Sequence, residues 1–291
     1  MPENNTYKPL LAAVVVLYFP DENLINNIYS YLPLTNKLFI VDNTDEPDFK
    51  SNYLPGISAL GNKAVYLPNS KNEGIGAALN LAAANALKDN YQWLLTMDQD
   101  SYFAEEDRNK YFSFFQQQIS ANKNIGVAAP SHKRKLQTIA KEYSEVNAVI
   151  TSGSIVNLNA WQQVNGYNEN LFVDEVDADF CYRVKLHKYK ILLLNNIFLQ
   201  HQLGKKTNSG YLGFIAKRKR TIHSPLRVYY MVRNYLFVKN KYSKFFPAEF
   251  KERDRLMLVA LKNNLLFSGK FFQNCKSILK GYLDYKKKRL S

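Results

Sequence analysis

Cysteine is scarce in this sequence, and its scarcity excludes two kinds of structural support. Cys181 and Cys275 are the only two cysteines among 291 residues, and neither lies in a CxxC pattern or another paired spacing. Without such a spacing, neither a disulfide framework nor a cysteine-ligated zinc site is indicated. The sequence therefore predicts reduced thiols.

Long apolar runs are also missing. The longest, LLAAVVVLYF at residues 10–19, is too short to span a bilayer. The opening stretch, MPENNTYKPL, has neither the cationic segment nor the apolar core of a secretory signal. We therefore expect a cytoplasmic protein. Because 46% of its residues are hydrophobic, the chain can bury a large core, either as one α/β domain or as two smaller ones.

Acidic residues are outnumbered by basic ones. The chain has 25 Asp and Glu against 39 Lys and Arg, which leaves a net charge of +14. The basic residues crowd the last third, where KRKR at 217–220 and KKKR at 286–289 are the densest runs. A basic surface suits nucleic acid, anionic lipid or phosphorylated substrates, and it also keeps a protein soluble. Composition leaves these interpretations open.

Three runs of apolar, β-branched or aromatic residues lie at 12–19, 37–43 and 91–100. Each is typical of a strand buried on both faces, and the intervening segments, such as 74–89, are long enough for helices. This alternation predicts an α/β fold with a parallel sheet. Further strands are expected within 124–131 and 147–159, and a polar helix is expected after residue 100.

Acidic side chains gather where two of these predicted strands end, at Asp42 and at the pair Asp98 and Asp100. The carboxyl ends of parallel strands open onto the ligand crevice of such sheets. Residues two apart on a strand project to the same side, so Asp98 and Asp100 can converge on one point. Two carboxylates with open positions suit Mg²⁺ or Mn²⁺ shared with a phosphorylated substrate, whereas an isolated DxD pattern is more often a turn or a helix cap.

A second acidic cluster lies in VDEVDADFCYR at 173–183. If a helix begins here, Asp174 and Asp177 are three residues apart and share a face. Carboxylates in a first helical turn also interact favourably with the helix dipole, which would explain Asp174 and Glu175 without any function. Asp177 precedes the amphipathic part of the helix and would lie at the mouth of a site. There it can act as a general base.

Eight motifs follow one another along the chain: VVVLYFP, LFIVDNTD, NEGIGAALN, TMDQDS, TSGSIVNLNAW, VNGYNENLFVDEVDADFCYR, HQLG and SPLRVYYMVRN. In this order they resemble the family 2 inverting glycosyltransferases of the GT-A fold, most closely the rhamnosyltransferase-like branch. The resemblance implies a Rossmann-like, mostly parallel central sheet flanked by helices. It places a GT-A domain in residues 1–240 and a basic helical C-terminal extension in residues 241–291.

The resemblance also implies roles for individual residues. The residues that would contact the nucleotide-sugar donor are Tyr18, Asp42, Asn72, Gly74, Asp98, Arg227, Tyr230 and Arg233. In this family an acid at the position of Asp42 accepts a hydrogen bond from the imide N–H of uracil or thymine. Asp98 and Asp100 match the metal-binding DxD motif, and His201 matches a position that completes the metal site in related enzymes.

The catalytic base of the family aligns with Asp177. The usual Glu-Asp pair at this point is here Val176 and Asp177, with an additional acid at Asp174. Asp174 is therefore the alternative base. The implied cofactor is Mg²⁺ or Mn²⁺.

The implied reaction is metal-dependent, inverting transfer of a sugar to a hydroxyl of a glycan or lipid-linked acceptor in cell-surface polysaccharide synthesis. The favoured donor is dTDP-rhamnose, and UDP-sugars remain open. Lipid-linked acceptors would make an anionic membrane surface a useful partner. From Arg253 onward the chain mixes apolar residues with lysine as an interfacial helix does, so we expect attachment at the inner face of the plasma membrane.

Two other functions fit part of the sequence. A nucleotidyltransferase would also use a Rossmann-like sheet and acidic metal ligands, but LYFPDENL after the first strand lacks the glycine-rich loop that holds a triphosphate. A non-catalytic nucleic-acid-binding protein would explain the positive charge but not the clustered acids. We therefore do not expect nucleic acid as a partner.

Overall fold

The computed structural model describes residues 10–132, 141–201 and 221–289. The chain divides into two compact units. The first comprises Met1–Asn168 and Phe180–Gln202, and the second comprises Glu169–Asp179 and Leu203–Ser291. The expected domain boundary at residue 240 stays a prediction, and the basic run at 217–220 lies outside the described residues.

The first unit contains a central sheet whose strands are β1 (Leu11–Leu17), β2 (Lys37–Asp42), β3 (Ala64–Pro68), β4 (Trp93–Asp98), β5 (Ser101–Phe103), β6 (Ile125–Ser131), β7 (Tyr143–Glu145), β8 (Ser154–Asn157) and β9 (Lys190–His201). Their order is β3-β2-β1-β4-β8-β6-β9-β5, and β7 also pairs with β9. Parallel pairing joins β3, β2, β1 and β4, and it also joins β6 to β9. The strands β5, β7 and β8 are antiparallel to their neighbours, so the sheet is mostly parallel, as predicted.

Apolar strands and small helical residues explain how the core forms. Every residue of β4 before Asp98 is buried, and β1 is buried except at Val16. Such strands need cover on both faces. The helices of this unit are α1 (Leu24–Tyr29), α2 (Pro47–Lys50), α3 (Leu54–Ser58), α4 (Gly74–Lys88), α5 (Glu105–Phe114) and α6 (Leu158–Gln163). In α4 the buried face is mainly alanine, which allows a helix to lie close to the strands.

Helix α7 (Val176–Leu186) begins in the second unit and continues into the first. The other helices of the second unit are α8 (Pro225–Tyr242), α9 (Pro247–Phe267) and α10 (Phe271–Lys286). Pro225 and the capping hydroxyl of Ser224 define the start of α8. A Cβ atom at Gly281 would lie 2.8 Å from the Tyr229 carbonyl oxygen, so this glycine lets α10 pack closely on α8. The helical C-terminal region is thereby confirmed.

Two sequence-based boundaries were wrong. The strand expected within 147–159 is limited to Ser154–Asn157, because Gly153 adopts φ +80° in a turn that interrupts extended backbone. The helix expected to include Asp174 begins only at Val176. Asp174 and Glu175 have φ values of 59° and 65°, which are left-handed and incompatible with a right-handed helix.

Strand β3 had not been predicted, whereas the helix expected after residue 100 is confirmed as α5. The partly exposed residues of β3 explain why it lacks the continuous apolar pattern of its neighbours. Within the described part of the chain, no helix has both the length and the apolar character needed to cross a bilayer.

Candidate active site

The DxD segment begins at Asp98, the last residue of β4, and is held in place by the end of β1. Strand pairing sets Val16 beside Asp98. The side chain of Gln99 then bridges to the end of β1: its Oε1 accepts from the Tyr18 backbone N–H at 2.8 Å, and its Nε2 donates to the Tyr18 carbonyl at 3.0 Å. These two bonds fix the residue between the two carboxylates. Asp98 and Asp100 consequently flank a restrained glutamine.

A turn from a distant part of the chain supports the same segment. The backbone N–H of Asp98 donates to Ser152 Oγ at 3.0 Å, and the N–H of Gly153 donates to the Thr96 carbonyl at 2.7 Å. A Cβ atom at Gly153 would lie 2.8 Å from a carbon of Pro130, so the turn admits no side chain at this position. The Ser-Gly-Ser motif therefore lies directly beside the end of β4.

His201 reaches the DxD segment through strand pairing. Antiparallel pairing of β5 with β9 sets Ser101 opposite His201. The Nδ1 atom of His201 lies 2.9 Å from Ser101 Oγ and 3.2 Å from Asp100 Oδ1. One ligand atom each from Asp98, Asp100 and His201 lies within 4.8 Å of the others. The structure thus brings together all three residues that the sequence suggested for a metal site.

The chemistry of this cluster fits a divalent cation. Two carboxylates and an imidazole nitrogen are suitable ligands for Mn²⁺ or Mg²⁺. Burial raises the pKa of the Asp100 carboxyl, and the nearby His201 opposes that shift. A desolvated carboxylate is costly without a compensating cation. The partial burial of Asp98 and Asp100, together with the exposure of His201, is compatible with an ion shared with a ligand from solvent.

Asp42 is more enclosed than its predicted role suggests. Its side chain is completely buried. Oδ2 accepts hydrogen bonds from the Tyr53 hydroxyl at 2.7 Å and the Tyr66 hydroxyl at 2.5 Å, while Oδ1 accepts from the Thr44 N–H at 2.9 Å. The carboxylate therefore organises the end of β2. Contact with a nucleobase stays a prediction, and no sequence pattern had indicated either tyrosine.

Asn72 and Gly74 form the turn that starts α4. The Oδ1 atom of Asn72 accepts from the Gly74 N–H at 2.9 Å. The Gly74 carbonyl accepts from the Asn43 side chain at 3.3 Å. Gly74 has φ +83°, which explains the need for glycine at this position. These contacts place the turn with the predicted donor-binding residues Asn72 and Gly74 beside Asn43, the residue that follows Asp42.

The second acidic cluster lies at the start of α7. Asp177 occupies the first turn, where its Oδ1 accepts from the Ala178 N–H at 2.8 Å. Burial raises the pKa of Asp177. Burial also raises the pKa of Glu175 to about 7, although the Arg253 guanidinium opposes this shift. A carboxylate with a raised pKa is better suited to accept a proton near neutral pH.

Helix α8 directs the predicted donor-binding residues toward the loop at 169–175. The guanidinium of Arg227 lies 3.0 Å from Asp174 Oδ1. The Tyr230 ring stacks on Phe172 with centroids 5.3 Å apart. Arg233 is only 3% exposed and donates to the Asn170 carbonyl at 3.0 Å. Arg227 remains half-exposed, whereas Arg233 is engaged within the protein. Their contacts with diphosphate stay predictions.

Arg253 is a member of this cluster that sequence reasoning missed. Its guanidinium pairs with Glu175, and the nitrogen-to-oxygen distances are 2.7 and 2.5 Å. The two residues are separated by 78 positions. Helical periodicity in α9 could not reveal this pair, because the pairing depends on the left-handed backbone at Glu175.

Known proteins with similar sequences or folds provide a comparison for these features. Residues 21–125 match the family model described as Glycosyl transferase family 2. A curated relative, dTDP-rhamnosyl transferase RfbF from Shigella flexneri, is 27% identical over 250 residues, which cover 79% of each chain.

Two solved structures are also similar. The crystal structure of GalNAc-T7 with UDP, GalNAc and Mn²⁺ matches with a TM-score of 0.62 and 13% identity, covering 97% of this chain and 58% of that one. The present chain therefore spans less than two thirds of GalNAc-T7. S. aureus TarS 1-349 in complex with UDP-GlcNAc matches with a TM-score of 0.49 and 13% identity, covering 96% of this chain and 92% of that one.

Titration of Glu175 should make the stability of the protein depend on pH. The unfolded chain loses this proton near pH 4.5, whereas the folded protein keeps it to about pH 7. The contribution of Glu175 to the free energy of unfolding is therefore fully present below pH 4.5. It should fall by about 3 kcal/mol as the pH rises to 7. Urea denaturation across this pH range should show that the free energy of unfolding declines less with pH in Glu175→Gln than in wild type. An identical decline in the two proteins would contradict the raised pKa of Glu175.

Proposed function

We propose that this glycosyltransferase, which has a family 2 domain and a GT-A fold, transfers L-rhamnose from dTDP-rhamnose. The observation that carries the proposal is the grouping of Asp98, Asp100 and His201 at the end of β4. The similarity to a dTDP-rhamnosyl transferase supports this choice of donor. The acceptor would be a hydroxyl of a glycan or a lipid-linked saccharide in cell-surface polysaccharide synthesis.

Asp98, Asp100 and His201 would hold Mg²⁺ or Mn²⁺. Such an ion neutralises negative charge on the nucleoside diphosphate that departs. The protein's own contribution is to fix both carboxylates before the donor arrives. Gln99 and the Ser152 hydroxyl hold the backbone of this segment, so little reorganisation is needed when the ligand binds.

Asp177 is the proposed general base. Its carboxylate takes the proton of the acceptor hydroxyl while that oxygen forms a bond to the anomeric carbon. The bond from this carbon to the diphosphate oxygen breaks, and the nucleoside diphosphate leaves with the electron pair. Attack opposite the leaving group inverts the anomeric centre. The raised pKa of Asp177 favours proton uptake in this step.

Asp174 is less suited to this role because Arg227 already pairs with it. Asp174 is therefore proposed to orient Arg227. Arg227, Tyr230 and Arg233 would contribute to donor binding from α8.

The nucleoside would contact Tyr18, Asp42, Asn72 and Gly74. The Tyr18 side chain is half-exposed at the end of β1 and offers an aromatic face for stacking on a base. Because the Asp42 carboxylate is completely buried, direct recognition of the pyrimidine by this residue requires a local opening at Tyr53 or Tyr66.

The exposed face of α10 is proposed to bind an anionic membrane. Phe272, Leu279 and Leu283 are 85%, 58% and 43% exposed, and their spacing places them on one side of the helix. Exposed lysines at 276, 280 and 286 accompany them. Apolar side chains flanked by lysines are typical of helices that lie in the lipid headgroup region. Attachment there would place the enzyme near a lipid-linked acceptor.

A thermal-shift panel tests the donor and the metal together. We expect dTDP-rhamnose with Mn²⁺ to raise the Tm more than UDP-, GDP- or CDP-sugars, because binding to the folded state stabilises it by about 2.7 kcal/mol at 100 times Kd. Asp100→Ala should abolish turnover and the metal-dependent part of this shift. The exposed Asp45→Ala serves as the matched control and should behave as wild type. Metal-dependent activity in Asp100→Ala would overturn the metal assignment.

Substitution of the base tests the proposed proton transfer. Asp177→Asn preserves side-chain size but removes the proton acceptor, so kcat should fall by about 10²- to 10⁴-fold with nearly unchanged donor affinity. Asp174→Asn should reduce kcat much less or raise the KM for the acceptor. Steady-state kinetics distinguish these outcomes. A reversed order of the two effects would identify Asp174 as the base, and two active variants would exclude this cluster from proton transfer.

Vesicle sedimentation tests the membrane proposal. Because α10 packs on α8 through Gly281, surface substitutions are preferable to deletion of residues 270–291. The double change Phe272→Ser and Leu279→Ser should weaken salt-sensitive binding to phosphatidylglycerol vesicles by about tenfold or more. Phe245→Ser, which alters an exposed aromatic outside α10, is the control. Equal binding by the double variant would remove α10 from the membrane interaction, and self-association lost in that variant would instead identify a second copy as the partner.

A further inference from the structure

The loop at 169–175 is held in a strained backbone conformation immediately before α7. Three of its residues, Phe172, Asp174 and Glu175, have φ values of 61°, 59° and 65°. Residues other than glycine seldom adopt this left-handed conformation, and each instance costs on the order of 1–3 kcal/mol. Such a loop persists only when its surroundings restrain it.

Asn234 supplies the central restraint. It is completely buried in α8, and its Nδ2 atom lies 2.6 Å from the Leu171 carbonyl oxygen and 2.7 Å from that of Val173. The Asp174 carbonyl oxygen lies 3.3 Å from the same nitrogen. A single amide group therefore gathers three carbonyl groups of the loop. Only a side chain with N–H donors can do this.

Arg233 restrains the start of the same loop. Its Nε donates to Asn234 Oδ1 at 2.9 Å, and its terminal nitrogen donates to the Asn170 carbonyl at 3.0 Å. The guanidinium lies 5.0 Å from the centre of the Tyr230 ring. Tyr230 in turn stacks on Phe172. These contacts connect adjacent residues of α8 to both the backbone and a side chain of the loop.

The two left-handed acidic residues are restrained through their side chains. Arg227 from α8 pairs with Asp174 at 3.0 Å, and Arg253 from α9 pairs with Glu175. The Glu175 side chain is only 12% exposed. A change of φ at Glu175 would break its ion pair and also redirect the following residues. Val176 begins α7, so the direction of the first turn of that helix depends on this backbone.

We propose that Asn234 is a positioning residue that sets the orientation of Asp177 by holding the loop at 169–175 in its left-handed conformation. This inference rests on the proposed function, in which Asp177 is the base. Asn234 is completely buried, so it would act on the reaction through the loop and not by contact with a substrate. Its contribution is the placement of the carboxylate, and a base displaced by about 1 Å can lose about 10²-fold in rate.

A purely structural role for Asn234 makes a different prediction. Buried carbonyl groups require hydrogen-bond partners wherever they occur, so loss of this amide would lower stability in either case. If Asn234 served stability alone, substitution of another buried asparagine with an equal loss of stability would lower kcat by the same factor. Asn274 provides the comparison, with the loss of Tm measured for both variants: it is completely buried in α10, and its Nδ2 donates to the Asn264 carbonyl and to Ser268 Oγ, both at 2.8 Å.

Hydrogen exchange compares Asn234→Asp with Asn274→Asp. Each change keeps the side-chain shape and replaces N–H donors with a carboxylate oxygen. In Asn234→Asp, amides within 170–177 should exchange about tenfold or more faster than in wild type, because several hydrogen bonds to the loop are lost. In Asn274→Asp the accelerated exchange should be confined to α9 and α10. We call the hydrogen bonds from Asn234 to the loop at 169–175 the clamp. If the loop amides exchanged at the wild-type rate in Asn234→Asp, the proposal that this clamp restrains the loop would be overturned.

Kinetics then connect the clamp to Asp177. Asn234→Asp should lower kcat by about 10²-fold while donor affinity, measured by the thermal shift with dTDP-rhamnose, stays near wild type. Asn274→Asp should have a lower Tm than wild type but should keep most of the wild-type kcat. Equal kcat losses in the two variants would assign Asn234 a structural role only. If Asn234→Asp fails to fold, Asn234→Ala provides the same comparison without an added charge.

The two proposals fail in different ways. If the wild-type protein transferred no sugar while Asn234→Asp still accelerated hydrogen exchange of the loop, the result would contradict the proposed function but not the restraint of the loop by Asn234. Normal transfer with fast loop exchange in Asn234→Asp and unchanged kcat would retain the function and overturn the positioning role.

Discussion

Parallel pairing of β1 with β4 is the constraint on which the candidate site of the first unit depends. Because Val16 lies beside Asp98 in this register, the residues that follow both strands emerge together. Gln99 can then bond twice to the backbone of Tyr18. A shift of one residue would turn every side chain of the shifted strand to the other face of the sheet. The buried, mostly apolar residues of β1 and β4 disfavour such a shift, and the carboxylates at the strand end are positioned as a consequence.

The two units compensate the desolvation of their acidic side chains with different partners. Asp42 is stabilised within the protein by hydrogen bonds from Tyr53, Tyr66 and the backbone of Thr44, and Lys50 Nζ lies 4.0 Å from its Oδ2. In the second unit, Asp174 and Glu175 each pair with an arginine. Asp98 and Asp100 lie instead in a partly exposed group with His201. This contrast separates carboxylates that stabilise the fold from those suited to a cation and a phosphorylated ligand.

Helix α8 has a role in the second unit that its amphipathic pattern does not indicate. Its buried positions include Arg233 and Asn234, whose polar groups bind the loop at 169–175 rather than solvent. Burial of an arginine is costly unless its donors are satisfied. The Arg233 guanidinium donates to Asn234 Oδ1 and to the Asn170 carbonyl, and it lies 5.0 and 5.5 Å from the ring centres of Tyr230 and Tyr229. The helix therefore combines packing with control of backbone conformation.

The sequence by itself determined the elements that have a local signal. The apolar runs predicted β1, β2 and β4, and the alanine-rich segment predicted α4, since strand and helix periodicities are properties of short windows. The DxD pattern and the order of the motifs indicated a resemblance to the family 2 glycosyltransferases. Only the tertiary structure decided that His201 lies beside Ser101, 100 residues away, that Tyr53 and Tyr66 enclose Asp42, and that Arg253 pairs with Glu175. The left-handed backbone at Asp174 also had no local signal. These features depend on which hydrogen-bond donors from distant parts of the chain lie beside a given carboxylate or carbonyl. Tertiary packing brings those donors together only when long loops of the chain close.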